Sequence, residues 1–416
     1  MAERKRDNET RDRRGQTVRS LQTTQSLRSG QGAREAKPER PKGGGLRRAL
    51  ILALVLLAVL GAVAAAAARD RHGMESLRRM LNFNKGDGSE TAETYAYDAD
   101  RSNRCAMVGG RLLVVSTTRI RLLDADGTTL YDRNVNFDAP AIAAGAGLAA
   151  VYDVGGRELY LLSGKGLVRD MSAQCAGGVV SAAIGGNGYL AVTTGKSGYK
   201  SAVSVYDEKG EKRFEFNSSD RYVMDARVLN DGKHLAAVTL GEADGAFASM
   251  LVLYALDSEK PVAEKTLTGS LVLSLEDVGG TLCAVEDDRV TFFSGDGALA
   301  GTYRYEYPYL RGSDVNGAGF AALLLSRYRS GSALKLVTVD AAGAVLGSLD
   351  LHREVLDVSA AGNYVAVLYG DRMTIYTSDL SVYAELADSN YAKSVLARED
   401  GSALLLGAAS AWRFVP

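Results

Sequence analysis

The stretch Leu122-Leu-Asp-Ala-Asp-Gly127 is a short apolar run stopped by an Asp/Gly turn. It returns as Val205-Tyr-Asp-Glu-Lys-Gly210, as Phe292-Phe-Ser-Gly-Asp-Gly297 and as Val337-Thr-Val-Asp-Ala-Ala-Gly343. The turn chemistry is local: an Asp side chain bonds backbone amides just ahead of it, and Gly takes the positive φ that a tight hairpin needs. A second phrase recurs between the turns, as Leu148-Ala-Ala-Val-Tyr152, Tyr189-Leu-Ala-Val-Thr193 and Leu235-Ala-Ala-Val-Thr239. Apolar runs of this length bounded by turn signals are strands, and several strands repeating about every 40 residues are the sequence form of a β-propeller.

Working outward, the repeats occupy residues 93–416, a span that holds seven or eight units at about 40–45 residues each. Walking the strands gives eight four-stranded blades, with a seven-bladed ring as the alternative. The units run over about 103–135, 139–172, 178–217, 222–268, 271–304, 309–351 and 354–386, and the last, 391–416, has room for only three strands. An unassigned strand, 93–97, precedes the first unit. Pairing it as the outer strand of the last blade closes the ring and removes two exposed sheet edges. The 46 glycines, with no collagen period, suit an all-β fold of many tight turns.

Upstream, residues 49–68 (ALILALVLLAVLGAVAAAAA) form an uncharged run of 20. As a helix it is about 30 Å long, the thickness of a bilayer core. It reads as an uncleaved signal-anchor, because the 48 residues before it are far longer than a signal-peptide n-region. Residues 1–48 carry 14 Lys/Arg against 6 Asp/Glu. That excess predicts a cytoplasmic N-terminus and an extracytoplasmic propeller in a single-pass cell-membrane protein. The tail is polar throughout and is expected to be disordered. No aromatic residue sits among its arginines, so nucleic acid is not an expected partner. Residues 69–92 read as a juxtamembrane helix and linker.

Cys105, Cys175 and Cys283 have no CxxC or Cys/His spacing, so no structural zinc or redox pair is expected. Cys105 and Cys283 fall in apolar strand patterns and read as small core residues, with one disulfide among the three left open. His72, His234 and His352 have no GxSxG elbow or metal-spaced partner beside them. The Asp124–Gly127 turn opens like a calcium loop, but Val135 stands where the bidentate Glu belongs. It reads as a hairpin turn.

The strand-Asp-x-x-Gly-strand pattern over 93–416 resembles the quinoprotein-like and WD40-like propeller superfamilies. The anchored layout resembles uncharacterised bacterial envelope propellers. The Gly-His and Trp-Asp signatures of WD40 repeats are absent, and the repeated tryptophan of quinoproteins is reduced to Trp412. No quinone or other cofactor is therefore expected. What the resemblance implies is a scaffold.

Two sets of residues could carry function. Asp225, Asp314 and Asp357 lie on or beside innermost strands, where they either bond neighbouring blades or form a channel acid/base pair. The second set lies on one face. Loops between second and third strands emerge beside the connections between blades, and three are long: 195–200, 241–246 and 326–332. The Tyr303-Arg-Tyr-Glu-Tyr-Pro-Tyr309 stretch ends on that side. Tyr with Arg is hot-spot composition. The candidate partner-binding residues are Tyr307, Tyr309, Arg327, Tyr328 and Arg329, whereas Tyr303 and Tyr305 are expected to pack between blades. The function expected is a non-enzymatic, membrane-tethered scaffold for a protein or glycan in the cell envelope. The alternatives are an envelope-polymer hydrolase or lyase using channel acids, and a ligand sensor.

Overall fold

The computed structural model describes residues 91–416, Asp244 excepted. The tail, the apolar run 49–68 and the juxtamembrane segment fall outside the described residues but for its last two, Thr91 and Ala92. Among the described residues no helix is long and apolar enough to cross a membrane.

Among the described residues, thirty-two strands, β1–β32 in chain order, form eight four-stranded antiparallel sheets. Seven are simple meanders of consecutive strands, β2–β5 (104–134) through β26–β29 (355–386). The innermost strands are β2 (Arg104–Val108), β6 (Pro140–Gly145), β10 (Val179–Ile184), β14 (Tyr222–Val228), β18 (Val272–Val278), β22 (Tyr309–Asp314), β26 (Val355–Ala361) and β30 (Ser394–Ala397). The eighth sheet has the order β1-β32-β31-β30, with β31 at Ala403–Leu406. There β1 (Thr91–Ala96) pairs antiparallel with β32 (Ser410–Phe414), Tyr95 opposite Ala411. The ring is thus closed by joining the start of the propeller to its end. Tyr97 adds to the closure by donating its hydroxyl to the carbonyls of Gly407 and Ser410 at 3.0 and 2.9 Å.

The uninterrupted apolar runs have a direct packing cause. Each blade is buried on both sides, so alternate residues enter different seams. In β3 (Arg111–Val115), Leu112 and Val114 pack toward the eighth blade, while Leu113 and Val115 pack toward the second. Eight separate hydrophobic clusters result, one per seam between neighbouring blades. Stability is thereby distributed around the ring rather than held in one core.

A four-stranded meander places its first and third turns on one face of the disc. Its second turn and the link to the next blade lie on the other. The first, here the turn face, carries the repeated Asp/Gly turns. Asp207 accepts the amides of Lys209 and Glu211 at 2.9 Å each, and Asp340 accepts those of Ala342 and Ala344 at 2.9 and 2.8 Å. Gly127 is a hairpin residue with φ +80, between β4 (Arg119–Leu123) and β5 (Thr129–Asn134). Gly343 has the same φ of +80, and a Cβ there would stand 2.7 Å from the Thr302 nitrogen of the preceding blade. At Gly343 the positive φ and the lack of room for a Cβ both favour glycine. The second face, the loop face, holds the longer hairpins.

Candidate functional site

The sixth blade builds the corner expected from sequence. β23 (Phe320–Ser326) and β24 (Leu334–Asp340) are joined on the loop face by residues 327–333. The buried Ser326 hydroxyl shapes this loop, lying 2.7 and 3.0 Å from the carbonyls of Tyr328 and Ser332. Arg327 closes the hairpin through its amide to the Ala333 carbonyl at 3.1 Å. The loop leaves Arg327, Tyr328 and Arg329 exposed to solvent. Tyr328 is 54% exposed and Tyr309, at the start of β22, is 41% exposed.

Tyr307 has a different place. It is half-buried against the seam of blades 5 and 6, and its hydroxyl donates to Asp350 at 3.3 Å. The Lys335 ammonium stands 4.8 Å and the Arg327 guanidinium 5.4 Å from its ring centre. Lys335 also pairs with Glu306 at 2.8 Å, which holds its pKa above the ordinary lysine value. Tyr307 is therefore the platform on which Arg327 rests. Tyr303 and Tyr305 pack in the same seam, and Tyr305 donates to the Glu286 carbonyl at 2.9 Å. Burial pushes the Tyr305 phenol well up. Beside the loop, a groove of about 510 Å³ runs between 330–334 and the 351–354 link, with His352 in its wall.

The structure adds a feature that sequence reasoning missed. In blades 3 to 7 the innermost strand carries one extra residue near its start: Val180, Met224, Leu273, Arg311 and Leu356. A bulge turns its extra side chain out of the regular alternation. The four apolar ones are 41%, 43%, 59% and 44% exposed. Strands β2, β6 and β30 pair without a bulge. Because innermost strands start at the loop face, these residues make a one-sided collar around that mouth of the central channel. The signal in sequence was a doublet at each strand start: Val179-Val180, Val223-Met224, Val272-Leu273 and Val355-Leu356, with Leu310-Arg311 as the variant.

Other exposed large apolar side chains gather on the same face. Val154, Tyr199, Phe247 and Tyr328 sit at hairpin ends, and Tyr222, Leu271, Tyr309 and Tyr391 at links between blades. Among the described residues, the remaining exposed ones lie on the outermost strands or at Val415.

The channel carboxylates are staples between blades. Asp225 accepts the Leu275 amide of the next blade at 3.1 Å, Asp314 that of Ala360 at 2.8 Å, and Asp357 that of Val395 at 2.9 Å. Arg227 spans three innermost strands, donating to the carbonyls of Ile184 and Leu275 and to Glu276 at 3.2, 3.1 and 2.7 Å. Burial raises the pKa of Asp225, Glu276, Asp314 and Asp357. His234 bonds Asp231 in a turn on the far face, away from these acids. Among the described residues, no group of His, Cys and acids is placed to hold a metal ion. All three cysteines are free thiols, and burial pushes Cys105 up to about 12 and Cys175 up to about 11.

Residues 84–396 match DUF5711, a family of unknown function. The chain belongs to this family. No curated protein matches the sequence. Among solved structures the chain is similar to BamB from Moraxella catarrhalis, at 12% identity and a TM-score of 0.50, covering 78% of this chain and 98% of that one. It is also similar to the C-terminal WD40 domain of Sif2, at 12% identity and a TM-score of 0.55, with 79% and 98% covered. The Dos1 propeller matches at 10% identity and a TM-score of 0.52, with 77% and 94% covered. Likeness at this identity establishes the architecture, a β-propeller, and leaves activity to the site.

Proposed function

We propose that this protein is a non-enzymatic scaffold that presents the loop face of its propeller to a protein partner. The observation that carries the reading is the division of the surface: among the described residues, every exposed large aromatic side chain lies on the loop face, beside the bulged aliphatics of the channel mouth and the arginines of the sixth blade. Apolar anchors rimmed by arginine are the composition of protein interfaces. The channel acids support the same reading, since backbone amides already occupy them. The 49–68 run and the basic stretch before it support a single membrane anchor with the propeller outside the cytoplasm.

The test is crosslinking in intact membranes, with purification of tagged wild type beside a Tyr309→Ala/Tyr328→Ala/Arg329→Ala variant. A defined protein retained by the wild type and lost by the variant is the expected result. Equal recovery by both would place the interface elsewhere on the disc. Accessibility of the propeller to protease in spheroplasts, with the N-terminus protected, is the expected topology result.

A further inference from the structure

The bulged Val180, Met224, Leu273 and Leu356 are exposed rather than packed in a seam. Arg311 is the one charged member of the collar, between Leu273 and Leu356 in blade order. Its guanidinium lies against the 327–333 loop, where a Cβ on Gly331 would meet Nη2 at 3.3 Å. Arg327 and Arg329 extend from the same loop. Among the described residues none of these three arginines has a carboxylate partner, whereas Arg353 nearby pairs with Asp371 at 3.2 Å. Of the local acids, Glu306 and Asp350 face Lys335, and Glu354 lines the groove beside the loop without pairing any of the three arginines. The corner thus keeps three unneutralised guanidinium groups next to an apolar rim.

We infer that this mouth, between blades 3 and 7, receives an acidic segment of the partner protein. Its carboxylates meet Arg311, Arg327 and Arg329, and its aliphatic side chains seat on Leu273 and Leu356. The inference rests on the protein-scaffold reading and adds to it the place and the chemistry of the contact. The planar guanidinium fork matches a carboxylate bidentately, and desolvation on the apolar collar strengthens such pairs. A collar around an opening suits an inserted loop or strand better than a flat surface. Exposed anchors at register-equivalent places in four blades offer a row of seats rather than one pocket.

The experiment places a photocrosslinking residue at Met224 or Leu356 in the full chain in cells, with Lys165 on the turn face and Val262 on the outer rim as controls. Support requires that the mouth positions capture a partner segment rich in Asp/Glu and aliphatic residues. A synthetic peptide of that segment must then bind the purified full chain and lose at least tenfold in affinity on Arg311→Glu/Arg327→Glu, with thermal unfolding unchanged. The Leu273→Ser/Leu356→Ser variant should weaken the same peptide. A defined partner captured only from the controls would overturn the docking site and leave the scaffold reading standing. Capture of lipid, of a second copy or of a basic segment at the mouth would overturn the inference. The absence of a defined partner at every position would remove both readings.

Discussion

The two faces of this disc are made from the same strands and differ in what their connections have to do. On the turn face, Gly343 is pressed against the backbone of the preceding blade, and a Cβ there would stand 2.7 Å from a nitrogen. On the loop face, Gly331 has nearly the same φ, +85 against +80, yet a Cβ would meet only the end of the Arg311 side chain. In the sixth blade the turn side is packed against its neighbour and the loop side is open, and there the chain places exposed tyrosines, arginines and a bulged arginine. Elsewhere the loop face is tight too: at Gly178, φ +82, a Cβ would stand 2.7 Å from the Gly155 carbonyl oxygen.

The strongest challenge to this division is at the channel, which belongs to the structural half. Arg227→Met should cost about 3 kcal/mol, because it strands the Glu276 carboxyl and the carbonyls of Ile184 and Leu275. Urea unfolding checks it, and a loss below about 1 kcal/mol would mean that water already serves these groups. Gly343→Ala should cost about 2–4 kcal/mol, from a left-handed backbone plus a clash with rigid main chain. The matched Gly331→Ala should cost about 1–2 kcal/mol, since only a flexible guanidinium has to move. Equal costs would erase the distinction between these two turns. At the small end, Tyr328→Ala and Arg329→Ala should change stability by no more than about 0.5 kcal/mol while reducing partner capture.

A pH series sharpens the same comparison. Asp357 titrates above its unfolded value because burial disfavours its charge, so the folded protein holds a proton that the unfolded chain releases. Its contribution is fully present below the ordinary carboxylate range and declines as pH rises through the raised value. The turn acids act with the opposite sign. Asp126 and Asp379 are held low, chiefly by the Thr128 amide for Asp126 and, against burial, by the Thr377 hydroxyl and Ser381 amide for Asp379. Their contribution is lost as pH falls. Wild type should therefore lose stability relative to Asp357→Asn as pH rises from about 4 to 7, and relative to Asp379→Asn as it falls. Urea midpoints across that range provide the check; a flat difference for Asp357→Asn would mean a carboxylate ionised throughout.

Much of the ring was legible residue by residue. The Asp-x-x-Gly turns announce themselves because their hydrogen bonds close within five residues, and the LAAV strands do so because burial on both sides makes them uniformly apolar. Eight blades over seven followed from giving the strand before the first unit to the three-stranded last one. The structure makes that pairing over Thr91–Ala96. The expectation that Asp225, Asp314 and Asp357 bond neighbouring blades also rested on a local fact, their position on innermost strands. At the sixth blade, the exposure of Tyr309, Arg327, Tyr328 and Arg329 could be read from turn composition, but the half-buried seat of Tyr307 beneath Arg327 could not. That seat depends on Lys335 and Asp350, which approach from strands 28 and 43 residues away.

The sequence by itself determined the repeat, the two-sided burial of each strand and the turn chemistry, because these depend on neighbours a few residues apart. Only the tertiary structure decided the channel mouth. Whether Leu273 or Leu356 enters a seam or faces solvent depends on one added residue in the pairing of two strands, and a register shift of one reverses the direction of a side chain. That register is set by packing around the whole ring, which no local stretch of sequence contains.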